Sequence, residues 1–553
     1  MRRYYGVNVL EAMVEILKRE GTEFLSCFPT NPIIDTAAAA GLRPIVCRQE
    51  RVGVGIADGF SRVTNGRRIG VFAMQFGPGA ENAFAGVATA YSDATPVLLL
   101  PWGQSTAWSG LRPVFSSVRS YATVTKHVEP VNAPVRVSEI MRRAYSLLKM
   151  GKPGPVMLET PSDVADMEME KLDYQPVRVT RASGDPHDVA EVARVLVEAC
   201  CSIIHAGQGV LYAEAWAELV ELAELLQVPV MTTQLGKSAF PEDHPLALGV
   251  GASVRTGPVV HFLEKADVVF GIGCSFSRHH QSTIIPSDKV IIQATNDETD
   301  INQNYHVDYP IIGDARLVLR QLIEAVKERL GNKKRSAEDG VAGEVKKVKE
   351  AWLAEWWPKL TSDQVPINPY RVIGELMRIM EPQQTIMTHD AGSPRDQLMP
   401  FYPAVVPRSY IGWGKSHQLG TGLGLTMGAR LAEPDKVAVY VMGDAAFGMV
   451  GLDFETAVRS RIPIIVIVLN NATMAIETHE MPIAHERYRS RDLGGNYADL
   501  GRAMGGYAER IENPAEVARA LQRARRANVE EGKAVLLEFI TGEDLAFSHR
   551  QPR

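Results

Sequence analysis

The sequence predicts an α/β protein of three doubly wound parallel-sheet domains, two of them copies of one unit flanking a central Rossmann-like domain. Continuous apolar β runs alternate with helical apolar spacing along most of the chain, as in successive βαβ units. The run VFAMQFGPGAENAFAGVATAYSDATPVLLL near the N-terminus has the same strand, glycine loop, helix, proline, strand order as VAVYVMGDAAFGMVGLDFETAVRSRIPIIVIV near the C-terminus. Gly77 to Pro96 and Gly443 to Pro463 enclose nearly equal lengths, which suggests duplication. Two polar stretches, Asp163 to His187 and Glu328 to Lys349, divide the chain. The expected domains are therefore 1–170, 186–330 and 363–553, with a linker over 331–362 and Lys333-Lys334-Arg335 on a solvated linker face.

A length of 553 residues is ample for several cores, and 45% hydrophobic with 22% charged residues is the balance of a soluble globular protein. The net charge of −6 and the lack of a basic stripe argue against nucleic acid or a membrane surface as partner. No apolar run approaches a membrane span. Cys27, Cys47, Cys200, Cys201 and Cys274 form no CxxC pair and read as buried thiols of a reducing cytoplasm. Val9, Leu10, Met13, Ile16 and Leu17 make a helical stripe interrupted by charges, unlike a signal segment.

In the N-terminal block, Glu50 follows a strand and opens a helix whose Gly53, Gly55, Ala57 and Gly59 permit close approach of another surface. In the C-terminal block, KVAVYVM and IPIIVIVL are strands joined by a helical segment, FGMVGLDFETAVRS. Right-handed crossover puts Asp444 and Asn471 at one sheet edge, where they can share a ligand. A carboxylate, a carboxamide and a backbone carbonyl near Thr473 suit Mg²⁺, which takes oxygen ligands and completes its shell from phosphate. N–H groups at Gly443, Asp444, Ala445 and Ala446 open the helix, where anions are favoured.

These residues resemble the signature of thiamin diphosphate-dependent enzymes, in which GD-x is followed after a crossover by NN; Ala445 stands where many members have glycine. The resemblance implies the duplicated thiamin diphosphate-binding fold. It makes Glu50 the carboxyl that activates the aminopyrimidine and Asn82, in GPGAEN, a cofactor contact. Gly392 and Ser393, in DAGS, become phosphate contacts. In SHQLGTGLGLTMGARLA, Leu419 becomes the apolar residue between the two rings and His417 the carbonyl that meets the exocyclic amine. It also implies a homodimer or homotetramer.

The middle block, with TTQLGKSAFPEDHPLALGVG, is similar to acetolactate synthases and makes FAD a candidate there, although Gly207-Gln208-Gly209 is a lone GxG and Gly271 to Arg278 departs from GARFDDR. Glu480 replaces the tryptophan of acetolactate synthases, and Phe115-Ser116-Ser117 replaces FQE. Glu477 matches pyruvate decarboxylase-like enzymes, where a glutamate handles protons near the substrate. Asn31, Gln104 and Glu477 join Glu50 as expected catalytic groups. The implied reaction is C–C cleavage next to the carbonyl of a 2-oxo acid or 1,2-diketone, followed by carboligation, by decarboxylase-type protonation, by diketone ring opening, or by pyruvate oxidase-like flavin oxidation.

Overall fold

The computed structural model describes residues 7–331 and 340–551. A short ribbon, β1 (Val7–Asn8) with β8 (Glu168–Met169), ties the start of the chain to the end of the first domain. The helix Val9–Arg19 follows, its start fixed by a reciprocal capping box between Asn8 and Glu11. The first sheet contains β2 (Phe24–Cys27), β3 (Arg43–Val46), β4 (Gly70–Met74), β5 (Val97–Gly103), β6 (His127–Pro130) and β7 (Val156–Pro161), in the order β3-β2-β4-β5-β7-β6. The second contains β9 (Ser202–Ala206), β10 (Val230–Thr232), β11 (Ala247–Val250), β12 (Val268–Ile272), β13 (Val290–Thr295) and β14 (Tyr309–Ile312), ordered β11-β10-β9-β12-β13-β14. The third contains β15 (Thr385–His389), β16 (Tyr410–Ile411), β17 (Val437–Gly443), β18 (Ile464–Asn470), β19 (Tyr507–Ile511) and β20 (Val535–Ile540), ordered β16-β15-β17-β18-β20-β19.

All pairings within the three six-stranded sheets are parallel. The outer sheets share one topology, so the sequence repeat is a structural repeat, with β4 and β17 in equivalent third positions. The middle sheet has the dinucleotide-fold order, with its switch point between β9 and β12.

The glycines after Glu50 meet a partner within the same chain. The helix Glu50–Val63 lies along Thr421–Ala432 of the third domain. A Cβ on Gly59 would stand 2.2 Å from the Leu425 carbonyl oxygen, and one on Gly428 the same distance from that of Ile56. Gly53 instead packs on Phe72 and Cys47. Because backbone, not flexible side chain, fills the space, Gly59→Val is expected to destabilise the protein by about 1–3 kcal/mol or more, read as a fall in denaturation midpoint.

Three expectations need correction. Residues 341–360 of the expected linker form a helix whose Trp352 and Trp356 are buried, Trp352 stacking on Phe401 with ring centres 5.0 Å apart. Lys333-Lys334-Arg335 lie outside the described residues. The FGMVGLDFETAVRS segment forms two helices, Asp444–Val450 and Phe454–Arg459, joined by a 3₁₀ turn at Gly451–Asp453. There Asp453 leaves helical duty to accept the Arg48 backbone N–H from the first domain at 2.8 Å. Among the cysteines, Cys27, Cys47 and Cys274 are buried, whereas Cys200 is exposed and Cys201 half-buried at a loop before β9.

Candidate active site

Parallel sheets deliver their loops to one edge, and most of the expected site residues emerge there. In the third domain, the end of β15 leads to Gly392 and Ser393, that of β16 to His417 and Leu419, that of β17 to Asp444, and that of β18 to Asn471, Thr473 and Glu477. These residues, with Gly443, Ala445 and Ala446, line one cavity of about 730 Å³.

Asp444 is 3% exposed, and its Oδ2 has no hydrogen-bond partner. Burial pushes its carboxyl up to about 6, against the backbone N–H groups of Ala445, Ala472 and Thr473 that favour the ionised form. Asn471 lines the same cavity, its Oδ1 accepting the Thr473 N–H at 3.2 Å. The other asparagine of the pair does different work. Strand alternation turns Asn470 toward the core, where its amide donates to Glu538 at 2.7 Å and its oxygen accepts from Ala472 N–H. Among the described residues, no group of three or more His, Cys, Asp or Glu forms a metal cage. The donor set is one carboxylate with an unmatched oxygen, one amide oxygen and backbone, which fits Mg²⁺ only if a ligand supplies phosphate oxygens.

The loop expected to meet phosphate turns at Gly392, at φ +85°, and carries a buried Ser393 hydroxyl without a partner. Asp390 couples that loop to the next: it accepts the Ala391 N–H at 2.6 Å, the Gly420 N–H at 2.9 Å and the Tyr440 hydroxyl. Burial raises its carboxyl to about 7. A second brace crosses domains. Arg62 of the first domain pairs with Asp58 and Asp93, and Asp93 accepts the N–H groups of Gly414 and Lys415, each at 3.0 Å. The His417 to Leu419 loop is thus positioned from both sides.

In the first domain, Asn31, Glu50, Asn82 and Gln104 follow β2, β3, β4 and β5 at the corresponding edge. None of them lines the Asp444 cavity. Glu50 is 3% exposed; burial raises its pKa, opposed by its own backbone N–H and the Asn82 side chain. Gly79 lies beside the Glu50 carboxyl, since a Cβ there would be in ordinary contact with Oε1 at 3.6 Å. Asn31 has both amide hydrogens committed, to the carbonyls of Met74 at 3.0 Å and Leu100 at 2.9 Å. It braces the loop, with no donor left for a substrate, against the expected catalytic role. Glu477, on the 3₁₀ turn Ala475–His479, has a carboxylate without a hydrogen-bond partner in the chain among the described residues.

Sequence reasoning missed the basic lining of this cavity. Arg278, His279 and His280 of the middle domain, Arg395, and Arg550 near the C-terminus also line the cavity. One signal existed: SPRDQL, directly after the phosphate-side loop, is a polar run whose last five residues are buried.

A second cavity of about 730 Å³ lies at the middle-domain switch point, lined by His205, Gln208, Gln234, Phe276 and Lys415 among others. Both ring nitrogens of His205 and the side-chain oxygens of Gln208 and Gln234 are buried there without partners.

Comparison with known proteins agrees with this geometry. The chain matches the N-terminal TPP binding domain of thiamine pyrophosphate enzymes over residues 7–126, their central domain over 189–322 and their C-terminal TPP binding domain over 390–539. The probable acetolactate synthase large subunit of Methanocaldococcus jannaschii is 30% identical across 94% of this chain and 90% of its own. The sulfoacetaldehyde acetyltransferase of Alcaligenes xylosoxydans xylosoxydans is 28% identical across 94% and 90%. A crystal structure of benzoylformate decarboxylase from Polynucleobacter necessarius shares the fold, with a TM-score of 0.80 at 20% identity over 98% of this chain and 99% of that one. The chain belongs to the thiamin diphosphate-dependent enzymes and resembles acetolactate synthase large subunits. No helix among the described residues is long and apolar enough to cross a membrane.

Proposed function

We propose that the enzyme holds thiamin diphosphate with Mg²⁺ and cleaves the C–C bond beside the carbonyl of a 2-oxo acid or 1,2-dicarbonyl, then ligates the fragment to a second carbonyl compound. The observation that carries this reading is the unmatched Asp444 oxygen beside the Asn471 loop in a cavity that Gly392 and Ser393 also line. When bound, the cofactor supplies a carbon nucleophile and an electron sink. In this reading Asp444, Asn471 and the Thr473 carbonyl hold the metal, while Gly392, Ser393 and Gly443 to Ala446 receive the diphosphate. Leu419 fills the space between the rings, and His417 offers its carbonyl to the amine. Glu50 holds a proton at the pyrimidine nitrogen, with Asn82 orienting its carboxyl. Gln104 faces the substrate from the same edge.

Glu50 lies outside the Asp444 cavity, so the complete site requires a second copy of the chain, in a homodimer or homotetramer. Exposed Trp108, Leu111, Met449 and Leu452 support that face: the first two follow β5, and Arg51 beside Glu50 donates to the Met449 carbonyl at 3.2 Å. The switch-point cavity, with its orphaned His205 and Gln234, suits a nucleotide, and FAD is the one the acetolactate synthase resemblance implies. A reducing cytoplasm suits the free thiols.

A second reading rests on Glu477. Its unpaired carboxylate can give or take a proton at the substrate, which favours protonation of the fragment, as in a decarboxylase or a ring-opening hydrolase. Purified enzyme with thiamin diphosphate, Mg²⁺ and a panel of 2-oxo acids and diketones, followed by NMR and flavin absorption, tests both: hydroxyketones support carboligation, and aldehydes or opened rings support the second. No product from any member contradicts both readings. Flavin reduction on anaerobic addition of pyruvate would point instead to an oxidase. If Glu477 moves the final proton, Glu477→Gln should slow aldehyde or acid release by about 10²-fold while leaving hydroxyketone formation and cofactor affinity nearly unchanged, measured on the same panel.

A further inference from the structure

The Asp444 cavity also carries a cation that the reaction proposed above does not use. Arg395 is 3% exposed and lines the cavity, yet of its guanidinium nitrogens only Nε is bonded, to Asp396 Oδ1 at 2.7 Å. Nη1 is buried with no partner, and no bond is made through Nη2 among the described residues. A guanidinium has five N–H donors, and here the two on Nη1 are unpaired away from water, a costly state that a bound acceptor would relieve. Its acidic neighbour Asp396 is not held by Arg395 alone, since Arg550 also reaches it at 3.7 Å. Of the other acids nearby, Asp544 is held by Lys359 at 2.7 Å and by Asn368, and Asp390, whose carboxyl feels the Arg395 charge, accepts from Ala391, Gly420 and Tyr440. On the middle-domain loop that lines the same cavity, burial first, and then the charges of Lys415, His280, His417 and Arg395, lower His279 to about 4.

We infer that Arg395, with Arg550 behind Asp396, is a specificity-determining anion subsite that holds a non-reacting carboxylate, sulfonate or phosphate of the donor or acceptor. This rests on the reading of the cavity as a carbonyl-substrate site. A planar fork of free N–H groups matches the oxygen pairs of such anions. The group held is not one lost as CO₂. A fixed cation would stabilise a departing carboxylate most before cleavage and raise the barrier, whereas anchoring a spectator anion contributes equally throughout and orients the substrate. Because Arg395 stands two residues after Ser393, cofactor titration is what separates this role from a diphosphate contact.

Calorimetric titration with glutarate and with pentanoate tests the subsite, because these five-carbon acids differ only in the second carboxylate and carry no carbonyl to react. Wild type, Arg395→Gln and Arg395→Lys are titrated with and without thiamin diphosphate and Mg²⁺. Wild type should bind glutarate at least about tenfold tighter than pentanoate; Arg395→Gln should abolish that preference, Arg395→Lys should retain part of it, and cofactor affinity should stay within about twofold. Equal affinities in wild type would overturn the inference, as would a glutarate preference that survives Arg395→Gln or a loss that falls on cofactor binding instead. The wild-type ratio and the lysine variant keep the test decisive if the glutamine variant fails to fold. Failure of wild type to take up the cofactor overturns the proposed function, while the cofactor-free titration still reports on the anion site.

Discussion

Glu50→Gln is expected to lower turnover by about 10²–10⁴-fold while thiamin diphosphate affinity changes by no more than about twofold. The amide preserves shape and one hydrogen bond, so binding survives, but it cannot exchange a proton with the pyrimidine ring. Burial already raises the Glu50 carboxyl, the direction that favours its keeping a proton to exchange. The sign of the pH effect follows: a carboxyl raised in the fold favours the folded state below its unfolded pKa, and that contribution is lost as pH rises through the raised value. In cofactor-free protein, Glu50→Gln should therefore be at least as stable as wild type at neutral pH. Stopped-assay rates and thermal melts on one preparation check both statements.

Asp444→Ala is expected to abolish Mg²⁺-dependent cofactor binding, a loss of about 10²-fold or more by calorimetry. Proton and metal compete for this carboxylate, which titrates near 6 in the fold against 3.8 unperturbed. Cofactor affinity should accordingly rise with pH through about 6 in wild type and be flat in the variant. Without cofactor the effect on stability reverses. The raised pKa makes Asp444 favourable below about pH 4 and unfavourable once pH passes about 6, so Asp444→Asn should raise the melting temperature at neutral pH, with the difference closing under acid. Unchanged titrations in the alanine variant would remove the metal assignment.

Much of this architecture is legible in the sequence because it rests on short-range pattern. Apolar runs of five to seven residues announced β4, β17 and β18, the last two ending in Gly443 and Asn470, and the matched spacings of Gly77 to Pro96 and Gly443 to Pro463 announced the repeat that the shared strand order displays. The Asp444, Gly392 and Leu419 loops were found because each sits beside a glycine-marked turn. What the sequence hid depends on distant partners. Asn31 looks like a free turn amide until β4 and β5 bring two carbonyls to it. The charged run before Trp352 reads as linker, yet a helix forms because Phe401 and Tyr370, far along the chain, cover its tryptophans. Arg395, His279 and Arg550 come from three separate stretches, and no spacing rule links them. The division of Glu50 from the Asp444 cavity is likewise not readable from spacing, and only the family resemblance implied it.

That division makes subunit complementation the most direct measurement. Glu50→Gln and Asp444→Ala proteins, each nearly inactive, are mixed, dissociated and reassembled, and turnover is assayed with thiamin diphosphate, Mg²⁺ and whichever 2-oxo acid or diketone the wild-type enzyme consumes. If each site joins Glu50 of one copy to Asp444 of another, half the sites of every mixed dimer are intact, and activity should recover to about a quarter of wild type. Activity no greater than that of the unmixed variants would contradict a site shared between two copies of this chain.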